Sequence, residues 1–209
     1  MRYHRIPEET VRRMPLYLRG SLELAGQGAD SISSQRLADH LGLTPWLIRK
    51  DFSYFGDLGK RGVGYDTRTL AVRIKKILRL NVDRRAVLVG AGRLGSALLE
   101  YGGFGRYGLQ IVAAFDLDGA RVGRMIGGVQ VEHVSGIATV SSRDVDMGII
   151  AVPEEAAQEV ADALVGASIR GILSFSPRHI VMPKRVKVIM IDIAMDLARL
   201  PYYLPGSRR

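Results

Sequence analysis

Cysteine is absent from the 209 residues, which excludes disulfides, thiolate metal sites and any thiol-based redox switch. No run approaches the roughly 18 consecutive apolar residues of a membrane-spanning helix, and the N-terminus has no apolar signal-peptide core. Neither a membrane nor a secretory destination is expected, and the cytoplasm is the default location. The four histidines, His4, His40, His133 and His179, fall in no acid–base or metal-binding grouping, so no catalytic residue and no metal are expected. Acidic residues are in the minority: 21 Asp and Glu against 30 Lys and Arg give a formal net charge of +9. Such a surface attracts polyanions, nucleic acid or acidic lipid among them.

The rest of the composition is that of an ordinary globular chain, with 47% apolar and 24% charged residues, and the length allows two domains with separate cores. The texture changes near residue 82. Before it the pattern is helical and basic; after it apolar runs of strand length at 86–89, 111–115, 145–152, 169–175 and 186–191 alternate with helical stretches. That alternation predicts βαβ units around a parallel sheet. Leu70, Ile74, Ile77 and Leu78 recur at helical spacing, so 67–80 reads as a connecting helix.

At the N-terminus, Pro7 followed by Glu8 and Glu9 marks a helix start, with Val11, Met14, Leu18 and Leu22 on one face and Pro15 expected to kink it. Residues 33–52 then read as a short capped helix, a turn at Gly42 and a second helix. Thr44 is its N-cap and Pro45 its first helical residue, while Leu37, Leu41, Leu43, Ile48 and Phe52 form a small core. This is helix-turn-helix layout; an αα-hairpin without nucleic acid is the alternative. Arg49, Lys50, Ser53 and Tyr54 cluster on the second helix, where side chains reach phosphates or base edges. The four glycines of 56–65, with Lys60, Arg61 and Gly62 near the tip, read as a wing that meets the DNA backbone or minor groove, against a plain solvated loop. Trp46, Phe52 and Phe55 are expected to pack rather than to stack on bases; Tyr54 and Tyr65 are undecided.

In the second half, strand residues Val87–Val89 run into Gly90-Ala91-Gly92-Arg93-Leu94-Gly95 and then a helical pattern, the order a dinucleotide fingerprint requires. Gly90 makes the tight turn, Gly92 lets the backbone approach a pyrophosphate, and Gly95 lets helix and strand pack closely. Asp116 ends the next strand about 20 residues past the last glycine, where an acid accepts ribose hydroxyls and repels a 2′-phosphate. NAD(H) is therefore expected over NADP(H), unless Asp116 is only a turn residue before Asp118-Gly119. Val152 and Pro153, ending the strand that begins near Met147, are candidates for a wall on the nicotinamide side. The glycine motif alone also fits an NAD-dependent oxidoreductase, or a site for the ADP portion of coenzyme A.

The run Trp46-Leu47-Ile48-Arg49-Lys50-Asp51-Phe52-Ser53-Tyr54-Phe55-Gly56, continued by Gly59-Lys60-Arg61-Gly62-Val63-Gly64-Tyr65, closely resembles the Rex family of redox-sensing transcriptional repressors. The resemblance extends through the glycine motif, Phe115-Asp116, Val152-Pro153, Ala157-Gln158, Gly171-Ile172-Leu173 and Asp192. It implies an α/β chain with a winged helix-turn-helix domain (1–80), a Rossmann-type domain (81–191) and a C-terminal helix (192–209) exchanged within a homodimer. It also implies a repressor, not an enzyme, that binds double-stranded inverted-repeat operators with NAD+ and leaves them with NADH. Arg19, Tyr101 and Asp192 would link the DNA-binding domain to the nicotinamide pocket, with Tyr101 also at the cofactor. Two departures stand out: Ser174 replaces the family's usual Asn, and the tail after Leu200 is short and basic.

Overall fold

The structure is a computed structural model and describes residues 6–204 apart from Asp57 and Arg61. Arg61, expected near the wing tip, and the end of the basic tail lie outside the described residues. The chain divides into two compact units between Val82 and Asp83.

The first unit is built on α1 (Glu8–Gly26), which starts after Pro7 with two acids in its first turn, where they complement the helix dipole. Pro15 does not end it: the helix runs through to Gly26 with Pro15 on its exposed face, so the missing N–H costs one intrahelical bond. Met14, Tyr17 and Leu18 on the opposite face are fully buried. A side chain at Gly20 would come within 2.8 Å of Leu41, so glycine there sets how closely α1 approaches the helix that ends at Leu41. The helix-turn-helix follows as predicted. α2 (Ser34–Leu41) is capped by Ser33 and stopped by Gly42 at φ 66°. Thr44 accepts from the Leu47 N–H and Pro45 opens α3 (Pro45–Ser53). Leu37, Ile48 and Phe52 are buried, whereas Leu41 and Leu43 are only half-buried.

Ser31–Ile32 (β1) and Tyr65–Asp66 (β2) pair antiparallel, and between them Lys60 bridges Gly64, closing a small ribbon. Gly64 is obligatory: its φ is +96°, and a Cβ would lie 2.5 Å from the Ile32 carbonyl. Asp66 then caps α4 (Thr67–Ile77), whose Leu70 and Ile74 are fully buried; the helix ends three residues short of the expected 67–80.

The second unit is a seven-stranded sheet in the order β5-β6-β4-β3-β7-β8-β9. Its strands are β3 (Arg84–Val89), β4 (Leu109–Asp116), β5 (Met125–Ile126), β6 (Val129–His133), β7 (Met147–Ile150), β8 (Gly171–Ser174) and β9 (Lys187–Met190). All pairings are parallel except β5 with β6. Setting aside β5, this is the doubly wound order, with its switch point between β3 and β7. The expected strands appear: β3 and β4 run longer than the 86–89 and 111–115 expected, while β7, β8 and β9 are shorter at both ends, although Ala151 and Phe175 still donate one bond beyond β7 and β8 to the neighbouring strands.

Side chains alternate across the sheet. Val87, Val89, Phe115 and Ile150 face α6 (Ala157–Gly166) and the 3-10 segment Val134–Ser142, while Leu88, Ala114, Val131 and Ile149 lie on the other face with Leu99 of α5 (Arg93–Glu100). Fully burying one such aliphatic side chain contributes about 1.5–3 kcal/mol. The C-terminal helix is shorter than expected: Asp192 caps α7 (Ile193–Ala198), and a 3-10 turn containing Pro201 follows at Leu200–Tyr203. No helix among the described residues is long and apolar enough to cross a membrane.

Candidate functional site

The C-terminal ends of β3, β4 and β7 open onto a cavity of about 830 Å³, at the switch point of the sheet. Each motif glycine has a distinct reason to lack a side chain. Gly90 turns at φ +96°, and its Cβ would meet the Ala151 carbonyl at 2.5 Å; a Cβ on Gly95 would lie 1.9 Å from the Gly90 carbonyl oxygen. Gly92 is different, because its added Cβ meets nothing within 4 Å. What glycine leaves clear there is the mouth of the cavity and the N-terminus of α5, which carries no side-chain cap. First-turn N–H groups without a protein partner, at the positive end of a helix, are a ready anion site.

Asp116 is 7% exposed and lines this cavity. It accepts from the Ala91 N–H at 2.7 Å and the Asp118 N–H at 2.8 Å, so the acid and the glycine turn are one unit rather than neighbours by chance. Ala91 in turn accepts from the Ser96 hydroxyl. Arg121 approaches both Asp116 oxygens at 3.3 and 3.4 Å and also faces Asp118. The sequence reading missed Arg121, although an arginine five residues past the acid was visible. Val152 and Pro153 line the cavity together with Val134, Ile137 and Val160. The ionisable lining groups are Asp116, Arg121 and Glu159, and no group of three metal-ligating residues occurs among the described residues.

The side chains at the remaining expected positions do not line this cavity. Arg93 and Leu94 are exposed in the first turn of α5. Tyr101 closes the opposite end of that helix; it is 61% exposed and lines a separate recess with Phe104 and Gly127. Asp192 uses a carboxylate oxygen to cap α7 through the Met195 N–H at 2.9 Å. Arg19, on the first unit, is exposed and faces Glu23. Ser174 is fully buried and accepts from the Ser176 N–H.

On the first unit, α3 and the ribbon frame a recess of about 520 Å³ lined by Arg49, Ser53, Lys60 and Gly62. Arg49 donates to the Ser34 hydroxyl at 2.9 Å, which ties the second helix to the start of α2. Lys50 is exposed and Tyr54 half-buried. Beneath this surface, Asp51 is 1% exposed and accepts from Thr10 (2.9 Å), Tyr17 (2.5 Å) and Arg13 (2.6 and 2.8 Å), all on α1. Burial opposes its ionisation, yet the bonds from Arg13, Tyr17 and Thr10 prevail and hold the carboxyl below the usual range. Nothing in the sequence marked this network, since its partners are 34 to 41 residues away. Phe52 packs edge-on between Tyr17 and Tyr65, as expected of a core aromatic. Trp46 does not: it is 61% exposed, with the Lys50 ammonium 4.7 Å from its ring centroid, because its place on α3 points away from Ile48 and Phe52.

Families of known proteins match segments of both units. A family described as "CoA binding domain" matches residues 81–178, and one described as "Putative DNA-binding protein N-terminus" matches residues 5–53. The redox-sensing transcriptional repressor Rex of Chloroflexus aggregans is 42% identical over 97% of this chain and 96% of its own. The Rex of Syntrophobacter fumaroxidans is 42% identical over 98% of each chain. The crystal structure of RSP in complex with beta-NAD+ and operator DNA superposes with a TM-score of 0.89 at 31% identity, covering 95% of this chain and 92% of that one. RSP in complex with beta-NADH gives 0.86 at 30% identity, covering 95% and 94%. With near-complete coverage at this identity, the chain belongs to the Rex family of redox-sensing transcriptional repressors.

Proposed function

We propose that this protein is a cytoplasmic, dimeric repressor that binds an inverted-repeat operator through its first unit, holds NAD+ or NADH in its second, and leaves the operator when NADH binds. The observation that carries this is the presence in one chain of a basic helix-and-ribbon face and a glycine cradle tied to a buried acid. In this reading the domains are 1–80, 81–191 and 192–209. Arg49, Lys50, Ser53, Tyr54, Lys60, Arg61 and Gly62 meet DNA, and Arg19, Tyr101 and Asp192 relay the state of the cofactor.

The residues of the cavity fit a dinucleotide. The open backbone at Gly92 and the first-turn amides of α5 receive the pyrophosphate, and the remaining acceptor capacity of Asp116 takes ribose hydroxyls. NADH differs from NAD+ by a neutral rather than cationic ring. The apolar wall of Val134, Ile137, Val152 and Pro153 desolvates whatever faces it, and desolvation penalises a charge. If DNA and NADH favour different states of the dimer, each must weaken the other by the same factor. Apolar residues left exposed at the C-terminus, Ile193, Met195, Leu197 and Tyr202, support its exchange between protomers. Titrating protein bound to selected duplex DNA at fixed salt tests the whole scheme. NADH, and not NAD+, should release an inverted-repeat site; indifference to both nucleotides would end this reading.

Asp116→Ser is expected to weaken NADH on the order of tenfold or more, since a charge-assisted hydrogen bond contributes about 1.5–3 kcal/mol. It also leaves Asp118 as the remaining carboxylate facing Arg121, so the guanidinium has charge to offer a 2′-phosphate and NADPH should lose less or gain. Parallel NADH and NADPH titrations check the change in preference. An unchanged ratio would remove Asp116 from the ribose site. The same assay with coenzyme A, whose 3′-phosphate Asp116 disfavours, should show weak competition.

A further inference from the structure

The exposed face of α3 carries Trp46, Arg49, Lys50 and Ser53, spaced i, i+3, i+4 and i+7, while Ile48, Asp51 and Phe52 are buried behind it. Three of these four are polar or cationic, as a nucleic-acid surface requires. The fourth is an indole left 61% exposed, although the same helix buries Phe52 to 3%. Trp46 also sits at the second helical position, after the Thr44 cap and Pro45. The N-terminal residues of a recognition helix are the ones that reach base edges. Its ring is not loose, because the Lys50 ammonium lies 4.7 Å from the centroid and restrains both side chains by a cation–π contact.

We propose that Trp46 reads sequence directly, its indole lying against the 5-methyl group of a thymine in the major groove while Lys50, braced on the ring, meets an adjacent phosphate or base edge. The major groove offers one apolar recognition feature, the thymine methyl, and an exposed aromatic on the helix that enters it complements that feature. The proposal rests on the operator-binding reading above. It assigns to this side chain a share of specificity, whereas the surrounding cations supply sequence-independent attraction.

The chain has a single tryptophan, so all indole emission reports this position. Duplexes selected from random-sequence DNA by the wild-type protein are the probe, with binding followed independently by anisotropy of a label on the DNA. Emission should change at saturation with a selected duplex more than with a random one of equal length. Replacing thymines by uracils one at a time, which removes only the methyl, should weaken wild-type binding about fivefold at one or two positions and leave Trp46→Ala insensitive there. Trp46→Ala should bind the selected site about tenfold more weakly and random duplex within about twofold, and Trp46→Phe should fall between. Because the side chain is exposed, both variants should unfold at the wild-type temperature. If Trp46→Ala keeps the affinity and the uracil sensitivity of the wild type, or emission is unchanged while anisotropy shows binding, the proposal fails and operator binding stands. If the wild type binds no duplex, the operator reading fails, and this inference with it.

Discussion

Gly95→Ala is expected to lower NADH affinity by about a hundredfold or more and to destabilise the second unit, whereas Gly92→Ala should cost affinity alone. The contrast follows from what each added methyl meets. At Gly95 it would overlap the Gly90 carbonyl oxygen, 1.9 Å away, with Leu88 behind at 3.2 Å. Backbone cannot rotate out of the way as a side chain can, so α5 must shift off β3 or the glycine turn must open. Overpacking of this kind costs about 1–3 kcal/mol in stability, and either adjustment removes the amides from where a pyrophosphate needs them. At Gly92 the methyl points into open space and the backbone, at φ −67°, suits any residue. Thermal unfolding and NADH fluorescence on the two variants separate the cases. Wild-type NADH affinity in Gly95→Ala would show that the glycine turn is not the cofactor cradle.

Asp51→Ala is expected to destabilise the first unit by about 3 kcal/mol or more and to abolish operator binding, with NADH affinity unchanged. Removing the carboxylate strands three groups at once: the Tyr17 and Thr10 hydroxyls are buried, and the half-buried Arg13 guanidinium loses a two-pronged partner. Breaking a buried charge pair from one side costs about 3–5 kcal/mol, and the partial exposure of Arg13 argues for the lower end. The pH dependence has a definite sign. The Asp51 carboxyl is held below its ordinary range in the folded chain, so its contribution is complete above the unfolded value of about 3.9 and fades as pH falls through the folded one. The Tyr17 phenol, raised first by burial and then by its bond to Asp51, acts at the other limit. Its contribution is complete below about pH 10 and is lost in stronger base. Asp51→Asn should flatten the acid limb of the first unit's stability curve. An acid limb identical to wild type would mean the network is not coupled to folding.

Local chemistry made much of this legible in the sequence. Thr44-Pro45 fixed the start of α3, and the glycine motif announced its own geometry because each glycine answers a steric demand within a few residues. Buried parallel strands show as continuous apolar runs, so β3, β4, β7, β8 and β9 were visible. The β5–β6 hairpin was missed. Its first strand has two residues around a Gly127-Gly128 turn, and only the alternation in Val129-Gln130-Val131 hinted at the second. Asp51 was unreadable for a different reason: a carboxylate between basic and aromatic residues on a helix looks solvated until α1 is folded over it. Trp46 was misjudged because hydrophobicity suggests burial, while helical spacing from Ile48 and Phe52 places it outside.

The two borders of the large sheet are finished differently. At one, β5 turns antiparallel and blunts the ladder after two residues. At the other, β9 ends the sheet with Ile189 and Met190 exposed, and Lys184 and Arg185 just before it and Lys187 at its first position are exposed as well. An open apolar strand is a template on which newly made chains can pair with one another before they are assembled. Clustered cations at its start make two such borders repel, a gatekeeping arrangement against aggregation. Part of the chain's positive charge thus sits at a sheet border, apart in sequence from the basic helix-and-ribbon face.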